Sequence, residues 1–543
     1  MASLMGPAAG VAKVVVVPSR ASLRLHVLCG FFGLASFMWG YNIGIMATIY
    51  VHPGFKRSLR NPDAAHTGLI TAIYYLGTWT SYIFISHPLS DSLGRRYAAS
   101  SGVFVVCLGA ALQAGARGSG AFAMMVCGRI VCGMGVAVIS TSVPMYQSEI
   151  APARQRGRYV VMNHIGLVAG LAFAFWVGYW MSAWKTPQGN YYGWRLSILV
   201  QFIPALTFII GVFFVPETPR WLIEKGHYTR AQSSLAYLRD ALPESDIVSI
   251  EFESIKANVD EHRNTAEEKW TALFTHRPLF NRLWRAALLQ FMAQMCGNTA
   301  MKYYLPSIFA SLGIEHRITL LIGGIESTLK IGCTIVEMLI IDRVGRRTTL
   351  VIGCVVMGIA LLVNGALPQA FPNNTNTVAD YTCIVFIFFY TFGYSIGFGP
   401  AAWVYGSEIF PTNVRARGLN FAASGGAIGS IIAAQTWPVG MDRIGSRTYF
   451  IFMSVNFVSA AVSFASFLFF MSIIVLAYPE TKRRSLEDMD ALFGDYHPSH
   501  GITAGDGDGA REENGDAYGD DNSMGRESVV VGGKGVGGDR DSN

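Results

Sequence analysis

In the stretch GGIESTLKIGCTIVEMLIIDRVGRR (residues 323–347), Glu326, Lys330 and Glu337 interrupt a run otherwise apolar enough to cross a membrane. An ionisable side chain at membrane depth is costly unless it faces a wet cavity or a partner. Glu326 and Lys330 are spaced i,i+4, and Glu337 lies seven residues further on, so the three lie near one helix face. That face is expected to point inward. Two chemistries fit. The three can form a neutralised structural network, with Lys330 also reaching a solute. Alternatively, one carboxylate can take up and release a proton. Lys302, in another apolar run, is placed to share the cavity.

A second set of charges recurs. DSLGRR (91–96) returns as DRVGRR (342–347), SEIAPARQRG (148–157) as SEIFPTNVRARG (407–418), and PETPR (216–220) as PETKR (479–483). The order is kept and the offsets are 251, 259 and 263 residues, so the chain reads as a duplicated unit of about 250 residues. Asp91 precedes Arg95 and Arg96, and Glu149 precedes Arg154 and Arg156. Asp342 likewise precedes Arg346 and Arg347, and Glu408 precedes Arg415 and Arg417. Such acid–arginine networks can form in one state of a two-state protein and break in the other. Arginines alone would signal only membrane topology; the paired acids favour a cytoplasmic gate.

The elements that must position these groups are membrane helices. Of the 543 residues, 51% are hydrophobic and 14% charged. A soluble chain carries about 25% charged residues. Roughly twelve runs of about 20 apolar residues fit spans, near 27–50, 67–87, 97–116, 121–143, 159–184, 194–215, 284–312, 318–341, 349–370, 381–406, 418–440 and 448–478. The expected fold is an all-α membrane protein of twelve transmembrane helices in two six-helix pseudo-symmetric halves. A parallel repeat of this kind is one architecture of secondary transporters. Lys and Arg collect at the termini and in the loops near 91–96, 151–158, 342–347 and 412–418, which puts both termini in the cytoplasm. The segments expected are a cytoplasmic N-terminus (1–24), a first half (25–216), a cytoplasmic helical linker (217–283), a second half (284–478) and a mostly disordered cytoplasmic tail (479–543). Asn373-Asn374-Thr375 is a glycosylation acceptor on the outer side in this topology. The eight cysteines fit neither a disulfide framework nor a zinc site and read as small hydrophobes. With no P-loop, metal-ligand cluster or nucleophile elbow, neither an enzyme, a cofactor nor a nucleic-acid partner is expected.

GYNIG (40–44), the two DxxGRR loops, GRIVCGMGV (128–136), PMYQSE (144–149), PETPRWL (216–222), YYLPSIF (303–309), GFGPAAWVYGSEIFP (397–411) and PETKRRSLE (479–487) together resemble the sugar porter family of the major facilitator superfamily, in its fungal branch. The resemblance spans roughly 25–490. It implies the major facilitator fold, a sugar as small-molecule partner, a central site between the halves, alternating access and a plasma-membrane location. It also implies site residues. Where the family pattern reads QQxxGxN, this chain reads AQMCGNT, with Gln294 kept, Ala293 for the first Gln and Thr299 for the Asn. Tyr303 and Trp403 match aromatics that contact sugar. His164 stands at a Gln position, Lys330 at an Asn and Ala427 at a Trp. Proton-coupled members carry Asp in the GYD motif, beside the Arg that here is Arg129. This chain has Asn42, and an amide cannot titrate. That resembles facilitative members, with Asn42 counted among the site residues.

Protons enter as a second partner only if Glu326, Glu337 or His164 carries them; otherwise His164 is a hydrogen-bonding replacement for Gln. Lys330 at a sugar-contact position also raises an acidic sugar, such as a uronate, as the solute. The rival of another class is a transporter-like sugar sensor that signals instead of carrying flux.

Overall fold

Helices form where the apolar runs predict them. The computed structural model describes residues 19–152, 156–265, 272–344, 346–399, 402–403, 409–410 and 414–468. Within these, α1 covers Ser19–Tyr50, α2 Ala64–Phe84, α3 Arg95–Ala114, α4 Ala121–Ile150, α5 Arg156–Met181 and α6 Pro187–Leu199, the last continued by Phe202–Gly211 and Val212–Phe214. Next comes a linker with helices Pro219–Glu224, Tyr228–Arg239 and Asp246–Thr265. The second set is α7, in two segments Arg277–Met295 and Asn298–Ser311, then α8 His316–Val344, α9 Arg346–Ala370, α10 Thr377–Gly397, α11 Arg415–Ile444 and α12 Thr448–Leu468. No strand occurs among the described residues.

Local chemistry sets the boundaries. The Asp63 carboxylate accepts the His66 N–H at 2.7 Å and caps α2. Thr186 caps α6 by accepting the Gly189 N–H at 3.1 Å, with Pro187 in the first turn, where its missing N–H costs nothing. α2 bends by 53° into Ser86–Leu93, and Gly94, at φ +87°, separates that turn from α3.

The twelve predicted spans do not all appear as straight apolar rods. Among the described residues, eight helices are long and apolar enough to cross a membrane, and the bent α2 pair makes a ninth. α7 is divided at Gly297, whose φ of +103° ends one segment of 19 residues before the next of 14. In α11 the apolar run is diluted by small and polar residues, Asn420, Ser424, Ser430 and Gln435 among them. α12 is described only to Leu468. The predicted end of the last span, residues 1–18 and the tail lie outside the described residues.

The packing repeats every six helices. α1 lies along α5 as α7 lies along α11, α3 packs on α4 as α9 packs on α10, and α2 meets α11 as α8 meets α5. The last pair joins the two helix sets. Small residues allow the closest of these approaches. A Cβ on Gly170 of α5 would stand 1.9 Å from the Phe37 carbonyl oxygen of α1, and one on Gly40 would stand 1.8 Å from the Leu167 carbonyl oxygen. The linker has its own small apolar cluster, including Leu222, Leu235, Val248 and Phe252. All eight cysteines are free, and seven are buried.

Gly170→Val must push α1 and α5 apart, because the obstructing atoms are backbone. The expected cost is at least about 3 kcal/mol, the upper range for overpacking. It would be read as a lowered thermal midpoint in detergent, whereas Gly332→Ala, where a Cβ meets nothing within 4 Å, should leave the midpoint unchanged.

Candidate functional site

Arg129 of α4 is fully buried, and among the described residues its hydrogen-bond partners are neutral groups. Its Nη1 donates to Asn42 Oδ1 at 2.8 Å, its Nη2 to the Tyr303 hydroxyl at 3.1 Å, and its Nε to the Ile70 carbonyl at 3.4 Å. The guanidinium also lies 4.2 Å from the centroid of the Tyr74 ring, a cation–π contact. The Asn42 amide is engaged within this cluster, with Nδ2 3.4 Å from Gln201 Oε1. Nearby, the Tyr304 hydroxyl lies 3.0 Å from both Thr71 Oγ1 and the Ala434 carbonyl oxygen, and Tyr50 stacks on Tyr304 with ring centroids 5.9 Å apart. One end of the bundle is thus tied across the two helix sets by α1, α2, α4, α7 and α11.

A second group surrounds Tyr394 of α10. Lys302 Nζ lies 5.7 Å and Lys330 Nζ 5.4 Å from the centre of its ring. His164 lies on α5, which packs on the Lys330 helix α8. Lys330 is buried and Lys302 half-buried. Glu326 accepts hydrogen bonds from Thr391 and, at 3.2 Å, from Ser327 Oγ. Among the described residues, neither lysine has a carboxylate within ion-pair distance. Glu337 is fully buried, close enough to Gly399 that a Cβ there would stand 2.8 Å from Oε2. The structure therefore brings Lys302 and Lys330 together at Tyr394 and gives Glu326 hydroxyl partners instead of Lys330.

Gln294 sits at the break in α7. Its Oε1 accepts from Asn298 Nδ2 and Thr299 Oγ1, each at 3.2 Å, and Thr299 is also 3.2 Å from Ser430 Oγ of α11. Trp403 is half-buried, edge-on to Trp39 of α1 at 6.2 Å. It packs against a cluster in which Tyr82 and Ala137 meet Ala423 and Ala427.

The opposite end of the bundle carries the acid–arginine network. Arg95 Nε donates to Glu149 Oε1 at 3.2 Å, and Arg95 also reaches Asp91 at 3.5 Å and Glu224 at 3.6 Å. Arg96 pairs with Glu217, not with Asp91. Its Nη1 donates to the Val215 carbonyl, its Nη2 to the Tyr97 hydroxyl at 2.8 Å, and its Nε lies 3.8 Å from Glu217. The Glu217 carboxylate accepts backbone N–H groups of Arg95, Arg96 and Thr218. The Thr218 hydroxyl donates to Glu149 Oε2 at 2.6 Å. His87 Nε2 is 3.2 Å from Asp91 and feels the charge of Arg417 from α11. The side chains of Arg156, Asp342, Arg346, Arg347, Glu408 and Arg415 lie outside the described residues.

Sequence reasoning did not single out Tyr394, Thr391, Tyr74 or Glu217. Only Glu217 had a signal, its place in the repeated PETPR.

The "Sugar (and other) transporter" family model matches residues 28–493. An MFS-type transporter, criB, of Aspergillus cristatus is 30% identical over 483 residues, covering 89% of this chain and 96% of that protein. A probable quinate permease of Aspergillus niger is 29% identical over 493 residues, covering 87% of this chain and 88% of its own length. Among solved structures, the proton:xylose symporter XylE bound to 6-bromo-6-deoxy-D-glucose superposes with a TM-score of 0.71 at 22% identity, over 87% of this chain and 100% of that one. A partially occluded, inward-open XylE from E. coli gives 0.69 at 23%, over 85% and 99%. These matches uphold the resemblance carried by the motifs, and the fold is the major facilitator fold of twelve helices.

Burial pushes the Glu217 carboxyl from 4.5 up to about 7. Between pH 4.5 and about 7 the folded protein therefore holds a proton there that the unfolded chain has lost. That contribution to stability is complete below pH 4.5 and is lost as pH rises through about 7. The wild-type thermal midpoint should fall between pH 5 and 8, and Glu217→Gln should flatten part of that fall; an identical slope in the variant would contradict the assignment.

Proposed function

The chain belongs to the sugar (and other) transporter family, and from that premise we propose that it carries a polyhydroxylated solute between two six-helix halves, residues 25–216 and 284–478, that rock about a central site. It is an integral membrane transporter and not an enzyme. The observation that carries the alternating-access reading is the tie from Arg129 in one half to Tyr303 in the other. Breaking that tie opens one end of the bundle, while the arginines and acids at the opposite end govern the other. We place that second end, both termini and the linker in the cytoplasm and the protein in the plasma membrane. The loops rich in Lys and Arg support this orientation.

The site residues we assign to the solute are Gln294 and Thr299 at the α7 break, Tyr303, Trp403, His164, Lys330 and Lys302. Hydroxyl and amide groups match sugar hydroxyls, and Trp403 offers an aromatic face. Asn42 acts through Arg129. Because an amide fills the place of a titratable carboxylate beside Arg129, transport is facilitative in this reading. The alternative, a proton-coupled symporter, would need Glu326, Glu337 or His164 to titrate.

A second reading of the solute is favoured by one observation: Lys302 and Lys330 both lie beside the Tyr394 ring, and among the described residues neither has a carboxylate within ion-pair distance. Two ammonium groups beside one ring suit a carboxylate-bearing polyol. The relative named as a probable quinate permease supports the same class.

Uptake of labelled glucose, glucuronate and quinate by yeast lacking its own hexose carriers tests these readings. Saturable uptake of any of them separates a carrier from a sensor. If the solute is a carboxylate, Lys330→Gln and Lys302→Gln should each raise KM roughly 10- to 100-fold, the loss of one charged hydrogen bond, with little change for a neutral hexose. Uptake should survive a protonophore. Asn42→Asp should make it protonophore-sensitive; collapse of wild-type uptake would refute the facilitative reading.

A further inference from the structure

A groove of about 720 Å³ opens between the beginning of α3, the end of the α6 continuation and the linker helix Tyr228–Arg239. Its two walls differ in chemistry. One is apolar and faces outward: Leu93, Tyr97 and Phe213 line it, and Phe214 beside them is 82% exposed. These residues stand at the ends of two membrane spans, where an outward apolar side chain meets lipid. Their exposure would be unfavourable in water.

The other wall is basic. Arg96 is stacked on the Tyr97 ring at 4.3 Å, and Arg230 and His227 project from the linker. Arg230 and His227 are exposed, and among the described residues no carboxylate lies within ion-pair distance of either. The one acid lining the groove, Glu217, is buried, with its oxygens turned to three backbone N–H groups. The charge offered to a ligand is therefore positive.

We propose that this groove binds the phosphate headgroup of an anionic phospholipid, with its acyl chains along Phe213, Phe214 and Leu93. Free phosphate shares the headgroup chemistry but has no use for the apolar wall. Basic pockets at the cytoplasmic ends of spans recognise such headgroups, and that leaflet carries the anionic lipid. A lipid seated there would hold the linker helix against the Arg95–Arg96 turn. Arg96 already contributes a guanidinium to that turn, so the lipid would bridge the linker and the gate network.

The test uses the full chain purified in mild detergent with added phosphatidylserine or phosphatidylcholine, and counts retained lipids by native mass spectrometry. Arg230→Gln combined with His227→Gln changes only exposed residues outside the transport machinery. The wild type should retain phosphatidylserine over phosphatidylcholine. The double variant should lose retention roughly fivefold, the worth of the Arg230 charge, and Arg230→Lys should keep it. Equal retention by wild type and double variant would overturn the proposal. So would inorganic phosphate displacing phosphatidylserine at equal concentration, since the ligand would then be a soluble anion. Loss of phosphatidylserine retention as salt rises, with phosphatidylcholine unaffected, supports the site without any variant. The measurement is independent of sugar uptake, so its failure leaves the transport reading untouched.

Discussion

A buried guanidinium whose partners among the described residues are all neutral fixes much of this architecture. Taking a charge out of water costs several kcal/mol even after relaxation, so every donor of Arg129 needs a partner. Here the partners are an amide on α1, a backbone carbonyl on α2, a phenol on α7 and the face of Tyr74. No single helix can supply them. The cluster demands that four helices from both halves converge, and close glycine-mediated packing such as α1 on α5 makes that convergence sterically feasible. All of these partners of Arg129 are neutral. Its energy then depends on geometry alone, chiefly on whether Tyr303 is within reach.

The opposite end is built on another principle. Arg95 and Arg96 meet four acids, Asp91, Glu149, Glu217 and Glu224, and all of these lie in the first half or the linker that follows it. Glu217 does more than neutralise charge. By accepting the N–H groups of Arg95 and Arg96 it serves the unsatisfied start of α3, where Gly94 brings the chain in with a backbone geometry that bulkier residues rarely adopt. A change in this network is therefore felt at once in helix position, linker docking and charge balance.

Much of this was legible in the sequence. Hydropathy located the spans, and the repeated motifs singled out Asp91 and Arg95, an i,i+4 pair within one loop, whereas the pairing of Glu149 with Arg95 joins loops 54 residues apart and was not legible. The break in α7 was not legible: averaging over a span hides one glycine, and Gly297 acts through its φ alone. Nor was Tyr394, one of many aromatics in an apolar helix, distinguishable until folding set two lysines from other helices beside it. Arg129 and Tyr303 are 174 residues apart, and only the packed bundle joins them. Glu217 was read as one end of a repeat because its partners are backbone groups, which carry no sequence signature.

The charged groups of α7 and α8 divide into two kinds. Glu326 has its hydrogen bonds satisfied by Thr391 and Ser327. Such a group costs nearly the same with or without a solute, so it cannot report on one. Lys302 and Lys330 differ, since among the described residues no acid neutralises them at contact distance. In the proposed carrier, their energy would change with a solute entering beside Tyr394. A solute shifts a conformational equilibrium only through interactions that differ between the states. Groups already paired within the protein offer little such difference, whereas two lysines on separate helices, α7 and α8, offer one that grows as the helices close around an anion.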